Sequence, residues 1–334
     1  MRFNDIKRIN LENWPTPLHP LKRYGQKIGH NCLYIKRDDI SLTGLGGNKL
    51  RKLEYWLAEA KKREADMIVV AGGCQSNLVR LTAAASAKVG FDCLAIHNGL
   101  EPKVFKGNLL LTKLFGAKQI FIGNVSEKKR DLYVKNKIES LSQEGLKTYC
   151  VNNQEIGSLG YIDCLLEMNK QMPSLQNLVI VGAMGITASG FIYANKMLNN
   201  KFKIYVISVE YKKDKLIKIL SKKISYISKR LDDNIKEVNE MTLRNIFNTK
   251  IFDQWMGQGW GLTTKDSLDA IADLAKLEGI VIDHIYNAKT FAGLRGLIEK
   301  KIINKNEPTC IVHTGGAPAI FGHLDIYNNL LDNS

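Results

Sequence analysis

Residues 67–90 read MIVVAGGCQSNLVRLTAAASAKVG. The opening MIVVA is apolar at every position and too short for a buried helix, so it reads as a strand covered on both faces of a sheet. Gly72-Gly73 then turns the chain, and Ser76-Asn77 stands where a helix N-cap is expected. The Ala-rich run 77–89 carries a helical pattern and stops at Gly90. This is one strand–turn–helix unit of a parallel sheet, and its relatives recur along the chain. Residues 93–97 (CLAIH), 119–122 (QIFI), 178–181 (LVIV), 204–209 (IYVISV) and 309–313 (TCIVH) read as further buried parallel strands. Helical patterns occupy 51–62, 107–115, 158–171, 187–198 and 264–278. The alternation predicts an α/β fold with parallel sheets covered on both faces. Glycine turns follow the strands at 72–73, 182–185 and 315–316. In open α/β sheets ligands bind at the carboxyl ends of the strands, so these turns are expected to converge on one site.

The 334 residues suffice for about two domains, and a hydrophobic content of 45% supplies their cores. The start of the chain is polar and charged, and no uncharged apolar run is long enough to span a bilayer, so neither a signal peptide nor a membrane partner is expected. Cys32, Cys74, Cys93, Cys150, Cys164 and Cys310 lie far apart with no Cys-x-x-Cys pair, which favours reduced thiols in a cytoplasmic protein over a metal site. Lys and Arg number 48 against 33 Asp and Glu, a net +15. Apart from 128–130 and 212–230 the basic residues are scattered among acids, so the charge reads as solvated surface and no nucleic-acid partner is expected. The Lys- and Ile-rich stretch 216–240 reads as a helical pair followed by a surface loop. No repeat or low-complexity linker marks a domain boundary.

Three segments carry residues suited to chemistry. KRDDISLTGLGGNKLRK (36–52) leads a charged cluster into a glycine turn with Lys49 at the head of a helix. Burial there would lower the lysine pKa and leave a free amine fit for Schiff-base chemistry, although a lysine after a turn is more often simply solvated. Ser76 and Asn77 serve equally well as a capping pair or as holders of an anionic group on free backbone NH groups. GAMGITASGF (182–191) follows a strand and opens a helix, with small residues and the hydroxyls of Thr187 and Ser189 suited to a phosphate. It lacks the Gly-Lys-Ser/Thr of a nucleotide-binding P-loop and is not a clean G-x-G-x-x-G.

Taken in this order, the segments resemble the pyridoxal-phosphate enzymes of the tryptophan-synthase-β fold type, and within it the family of D-cysteine desulfhydrase and 1-aminocyclopropane-1-carboxylate (ACC) deaminase. The resemblance begins at Thr16-Pro17-Leu18 and runs through Lys36-Arg37-Asp38-Asp39, GGNKLRKLEY (46–55), GGCQSN (72–77) and 157–161. It continues in the 182–190 loop, IDHIYNAKTFAGL (282–294) and HTGGAPAIFG (313–322). It implies two open-twisted parallel α/β domains of fold type II with the site between them, a large one of 1–50 plus 162–334 and a smaller inserted one of 51–161. Relatives are commonly homodimers, so a homodimer is expected. By this resemblance Lys49 bonds pyridoxal 5′-phosphate covalently and, once released, moves protons at the substrate α-carbon. Asn77 meets the ring oxygen, and Ser76 the substrate carboxylate or a proton in transfer. Ala183, Gly185, Ile186 and Thr187 hold the phosphate, Thr314 meets the pyridine nitrogen, and Tyr286 lies over the substrate.

ACC deaminases carry Glu after that tyrosine and Leu in place of the Thr, where this chain has Asn287 and Thr314. A neutral hydroxyl lets the ring nitrogen stay unprotonated, so the resemblance points to D-cysteine desulfhydrase: a small amino acid loses its α-proton and β-thiolate and ends as pyruvate and ammonia. The substrate pocket is expected from Ser76, Leu78, Trp260, Tyr286 and Asn287. Leu78 replaces a usual polar residue, Gly259-Trp260-Gly261 replaces Gly-Tyr-Gly, and Asp283-His284-Ile285-Tyr286 replaces Asp-Pro-Val-Tyr. Losing a phenol and gaining bulk at Trp260 favours a changed substrate or outcome, so β-replacement, racemisation, cyclisation or ACC opening on the same cofactor is the alternative. A ligand-binding protein without turnover is the reading from another class. His284 and His313 read as packing or loop histidines, and Cys310 and His313 fall on opposite faces of a strand.

Overall fold

The computed structural model describes residues 2–151, 155–233, 235 and 238–332. The chain runs β1 (Leu18–Pro20), α1 (Lys22–Lys27), β2 (Leu33–Arg37), α2 (Lys49–Lys62), β3 (Met67–Gly72), α3 (Asn77–Val89), β4 (Asp92–His97) and α4 (Gly107–Leu114). It continues through β5 (Lys118–Phe121), α5 (Glu127–Gln143), β6 (Thr148–Cys150), α6 (Leu159–Gln171), β7 (Asn177–Gly182), α7 (Ile186–Met197) and β8 (Lys203–Ser208). The remainder is α8 (Lys213–Arg230), α9 (Glu240–Asn245), β9 (Thr249–Phe252), α10 (Lys265–Glu278), α11 (Asn287–Glu299), β10 (Thr309–His313), α12 (Ala317–Ile320) and α13 (Leu324–Asp332).

The six strands expected from apolar runs are present within a residue or two at each end, because those runs are what a parallel sheet buries on both faces. The short strands β1, β2, β6 and β9 carry too little apolar pattern to stand out in the sequence. The stretch 216–240 is not a helical pair: α8 runs unbroken to Arg230, and α9 begins only at Glu240. Residues 234, 236 and 237 of that stretch lie outside the described residues. No helix among the described residues is long and apolar enough to cross a membrane.

Among the described residues two sheets form, a six-stranded one ordered β1-β2-β10-β7-β8-β9 and a four-stranded one ordered β5-β4-β3-β6. All pairings are parallel except β1 with β2, which adds an antiparallel edge to the larger sheet. Alternation along each strand splits the apolar residues between layers. Leu178 and Ile180 of β7, Ile204 and Val206 of β8, and Ile68 and Val70 of β3 enter one large core shared by the two sheets. Val179, Tyr205 and Ile207 face a second core under α10 and α11, and Met67, Val69 and Ala71 a third under α5. In the six-stranded sheet the chain winds from β7 outward to β9 and returns to place β10 on the other side of β7. A reversal of this kind leaves a crevice at the carboxyl ends of the two flanking strands. The turns after β7 and β10 open into that crevice.

Candidate active site

The turn that carries Lys49 is fixed from below by a buried charged cluster. Arg51 on α2 donates from Nε to Asp38 Oδ2 and from Nη2 to Asp38 Oδ1, each at 2.9 Å, and from Nη1 to Glu167 Oε2 at 3.0 Å. Tyr161 donates to Asp38 at 2.8 Å, and Lys36 pairs with Glu167 and Gln171. Burial works to raise the Asp38 carboxyl, yet the charge and hydrogen bonds of Arg51, with help from Lys36 and Tyr161, hold it below the ordinary carboxylate range. The Lys-Arg-Asp-Asp run therefore locks β2 and α2 onto α6, and the head of α2 becomes a rigid platform.

On that platform Asn48 joins three turns. Its backbone N–H donates to the Thr314 carbonyl at 3.0 Å, and its Nδ2 donates to Thr187 Oγ1 at 3.3 Å. Its Oδ1 accepts from Lys49 Nζ at 3.1 Å. The approach of the β10 turn is close enough that a Cβ on Gly315, whose φ is +90°, would stand 2.7 Å from Gly47 Cα. Arg80, one turn into α3, reaches across to the carbonyls of Gly44 and Gly46 and so ties the Ser76-Asn77 loop to the same place. Burial lowers the Lys49 amine from 10.5 to about 8; the Asp283 carboxylate opposes this and the Arg80 charge adds to it. Desolvation is thus what chiefly keeps Lys49 partly unprotonated, and its hydrogen-bond partner is a neutral amide rather than a carboxylate.

The loop between β7 and α7 forms an anion cradle. Gly185 caps the helix at φ +77°, where an added Cβ would meet Ile219 and Lys223 of α8. The first-turn NH groups of α7 have no intrahelical acceptor, and the Thr187 hydroxyl lies among them, 7% exposed. Lys52, one turn along α2 from Lys49, is buried, and among the described residues no carboxylate or hydrogen-bond acceptor is paired with it; its amine lies 5.7 Å from the Tyr161 ring centroid. Burial, then the charges of Lys49 and Lys223, push its ammonium well below the usual lysine range. A buried cation without a counter-charge is costly, and an anion at the head of α7 removes that cost. Sequence reading missed Lys52, although its i,i+3 spacing from Lys49 places both on one face of α2.

The turn after β10 presents Thr314. Asn287 at the start of α11 donates from Nδ2 to Asp283 Oδ1 and to the Gly315 carbonyl, and its Oδ1 accepts from the Thr314 N–H at 3.0 Å and the Thr314 hydroxyl at 3.2 Å. Asn287 is 1% exposed, so it stands behind Thr314 rather than lining a pocket as the sequence suggested. Tyr286 is partly exposed and accepts a hydrogen bond from Trp260 Nε1 at 3.2 Å; burial pushes its phenol up, and the indole N–H opposes that. The Trp260 loop is held by Lys289, whose amine donates to the Met256 and Gly259 carbonyls at 2.7 Å each.

Ser76 caps α3 through the Val79 N–H at 3.4 Å, and Asn77 Oδ1 accepts from Asn108 Nδ2 at 2.9 Å. Leu78 packs half-buried against the large core. His313 accepts from the Gly315 N–H and faces the Val281 carbonyl, which fixes its tautomer as a turn brace. His284 packs against Tyr327 and His323. Hydrogen bonds and close packing thus join Lys49, Thr187, Thr314 and, through Asn287, the start of α11.

An amine of lowered pKa, a helix start with free NH groups and the Thr187 hydroxyl, an unpaired buried lysine on the neighbouring helix, and the Thr314 turn held against Asn48 together suit pyridoxal phosphate. The chain belongs to the family of pyridoxal-phosphate dependent enzymes, whose pattern matches residues 9–315. It is similar to the D-cysteine desulfhydrase of Yersinia enterocolitica, 31% identical over 96% of this chain and 97% of that protein, and equally to that of Serratia proteamaculans. Among solved structures, an ACC deaminase homologue matches with a TM-score of 0.88 at 28% identity, covering 98% of this chain and 97% of the other. Threonine deaminase isoform 2 from Solanum lycopersicum shares the fold at a TM-score of 0.68 and 17% identity, covering 96% of this chain and 84% of the other.

Proposed function

We propose that this enzyme is a lyase that eliminates the β-substituent of a small amino acid, with D-cysteine as the leading substrate: D-cysteine and water give pyruvate, ammonia and hydrogen sulfide. The relatives named for that activity support the substrate, and the Asn48 junction carries the chemistry, because it holds the Lys49 amine beside both the α7 cradle and the Thr314 turn. Bound pyridoxal phosphate supplies a carbonyl carbon for amines and a ring that accepts the electrons of the Cα–H bond. Ala183, Gly185, Ile186 and Thr187 hold the phosphate on backbone NH groups and a hydroxyl, with Lys52 neutralising it.

Lys49, whose free amine sits near 8, would have roughly a tenth of its molecules unprotonated at pH 7 and would take the α-proton as the β-thiolate leaves. Asn48 aims that amine. Ser76 and the first turn of α3 bind the substrate carboxylate, and Asn77 orients the ring oxygen. Thr314 offers the ring nitrogen a neutral oxygen, held in place by Asn287. Tyr286, under Trp260, covers the substrate side. Pyruvate release from D-cysteine, L-cysteine, β-chloroalanine, serine and ACC tests the assignment. Turnover of D-cysteine that disappears in Lys49→Ala is expected, and sulfide release absent from cofactor-loaded wild type refutes it.

A second outcome on the same cofactor, β-replacement or racemisation, is favoured by one observation: the Trp260 indole N–H donates to the Tyr286 hydroxyl oxygen and so takes up one of its acceptor positions. Solvent deuterium entering the α-carbon without pyruvate would identify it.

We also infer a homodimer. Leu42, Leu45, Leu114 and Phe321 are 85%, 61%, 70% and 64% exposed. They lie on or beside elements that pack in series, the Thr43–Leu45 turn on α3, α3 on α4, and α4 on α12. Large apolar side chains left this exposed suit a second copy of the chain. Residues 51–161 are taken as the smaller inserted unit, a division supported by the four-stranded sheet drawing its strands only from 67–150. The cytoplasmic location rests on the sequence alone.

A further inference from the structure

We propose that Lys223 on α8 is a second cationic ligand of the cofactor phosphate, exchanged onto it from Glu155. The inference rests on the placement of the phosphate at the head of α7 given above. α8 packs directly on the cradle: a Cβ on Gly185 would lie 3.4 Å from Lys223 Cδ, with Ile219 and Leu220 on either side. The Lys223 stem therefore runs along the turn that carries the α7 NH groups.

Lys223 is 7% exposed, and its carboxylate partner is Glu155 at 3.8 Å, longer than a well-made charged hydrogen bond. Glu155 belongs to the short turn Glu155–Ser158, which packs against α2, α7 and α8 at once. Lys223 thus reaches the cradle from α8, and its charge works against the ammonium of Lys52 on α2. Burial also depresses the Lys223 amine, with Glu155 opposing and the charge of its exposed neighbour Lys222 adding a smaller push in the same direction. Two buried lysines beside one half-exposed carboxylate leave an unbalanced positive charge, and a phosphate dianion at the free NH groups of α7 balances it. With the phosphate in place, Lys223 exchanges a long pair with Glu155 for a short one with the dianion.

The test is cofactor affinity. Protein stripped of cofactor is titrated with pyridoxal phosphate and, separately, with pyridoxal, which lacks the phosphate, following the absorbance of the lysine-bound cofactor and equilibrium dialysis. Lys223→Met is expected to weaken pyridoxal phosphate by about ten- to a hundredfold, the worth of one charge-assisted hydrogen bond, while pyridoxal binding changes less than twofold. Lys223→Arg restores most of the loss, Glu155→Gln tightens the phosphate form severalfold, and Lys222→Met, which removes the same charge from the exposed neighbour, changes neither ligand. The apo melting temperature of Lys223→Met should not fall, since a buried charge is removed. Wild-type affinity in Lys223→Met, or an equal loss for both ligands, overturns the proposal. Lys52→Met and Thr187→Ala separate the two readings: if they lower the ratio of phosphate to pyridoxal affinity and Lys223→Met does not, only Lys223 is misassigned, whereas if none of the three lowers it, the phosphate is not at α7.

Discussion

Asn287→Asp turns the seat of Thr314 into a measurable quantity. The substitution keeps the side-chain shape but replaces the Nδ2 donor, which now bonds Asp283 Oδ1 and the Gly315 carbonyl, with a second carboxylate oxygen. Two carboxylates that relax to about 3.5 Å repel by about 5 kcal/mol at an effective dielectric of about 20. The new carboxyl escapes by staying protonated, so its pKa rises from about 4 in the unfolded chain to about 7 in the fold. With a folded pKa above the unfolded one, the unfolded state releases its proton first as pH rises. The stability deficit is therefore small below pH 4, grows by about 1.4 kcal/mol per pH unit up to about 7, and is constant above it. The expected cost is about 4 kcal/mol at pH 8 and about 1.5 at pH 5. At about 2 °C per kcal/mol for a chain of this size, melting temperatures of the cofactor-free protein should fall by roughly 8 °C and 3 °C relative to wild type. Asn287→Leu breaks the same hydrogen bonds without adding charge and should lose a similar amount at every pH. An Asn287→Asp deficit that does not shrink between pH 8 and pH 5 would refute the reasoning.

The lowered Lys49 amine predicts that cofactor-free wild type gains stability as pH rises from about 8 toward 10.5, because the unfolded state binds the extra proton in that window. Lys49→Met should therefore melt higher than wild type below pH 8, by up to roughly 3 kcal/mol, with the gap closing above it in a pH series of melting curves. Trp260→Phe removes the donor to Tyr286 from a residue that is 53% exposed. It should leave the melting temperature within about 2 °C while lowering kcat/KM for the best substrate severalfold, and any alkaline limb owed to Tyr286 should move up in the pH–rate profile. Leu45→Glu with Leu114→Glu should convert a dimer to monomer in light scattering at micromolar protein, with the circular dichroism of the fold retained.

Much of the site was legible because the chemistry sits on local units. A strand of β-branched residues, a glycine turn and a helix start can be read in sequence order, and Lys49, Asn77, Thr187 and Thr314 each occupy such a place. What failed to show was whatever depends on neighbours far along the chain. Lys52 and Arg80 look like ordinary helix lysine and arginine until burial leaves the one unpaired and points the other at the Gly44 and Gly46 carbonyls. Asn287 looked like a pocket residue because it follows Tyr286, but the first turn of α11 rotates it inward, where Asp283, Thr314 and Gly315 take up its amide. The Lys-Arg-Asp-Asp run looked like part of the chemistry, and its buried members serve instead as the clamp beneath it.

The sequence by itself determined the α/β class, the strand and helix rhythm and the turns that carry chemistry, since hydrophobic period and turn composition are local properties of the chain. It also determined that the +15 charge is spread rather than gathered. Tertiary structure decided which charges matter: among 48 basic residues, Lys52 and Lys223 are buried and Lys49 partly so, and unlike Lys36 and Arg51 they are withdrawn from water without a close carboxylate partner. Desolvation and mutual repulsion, the forces that set their protonation, exist only once α2, α7 and α8 are packed together.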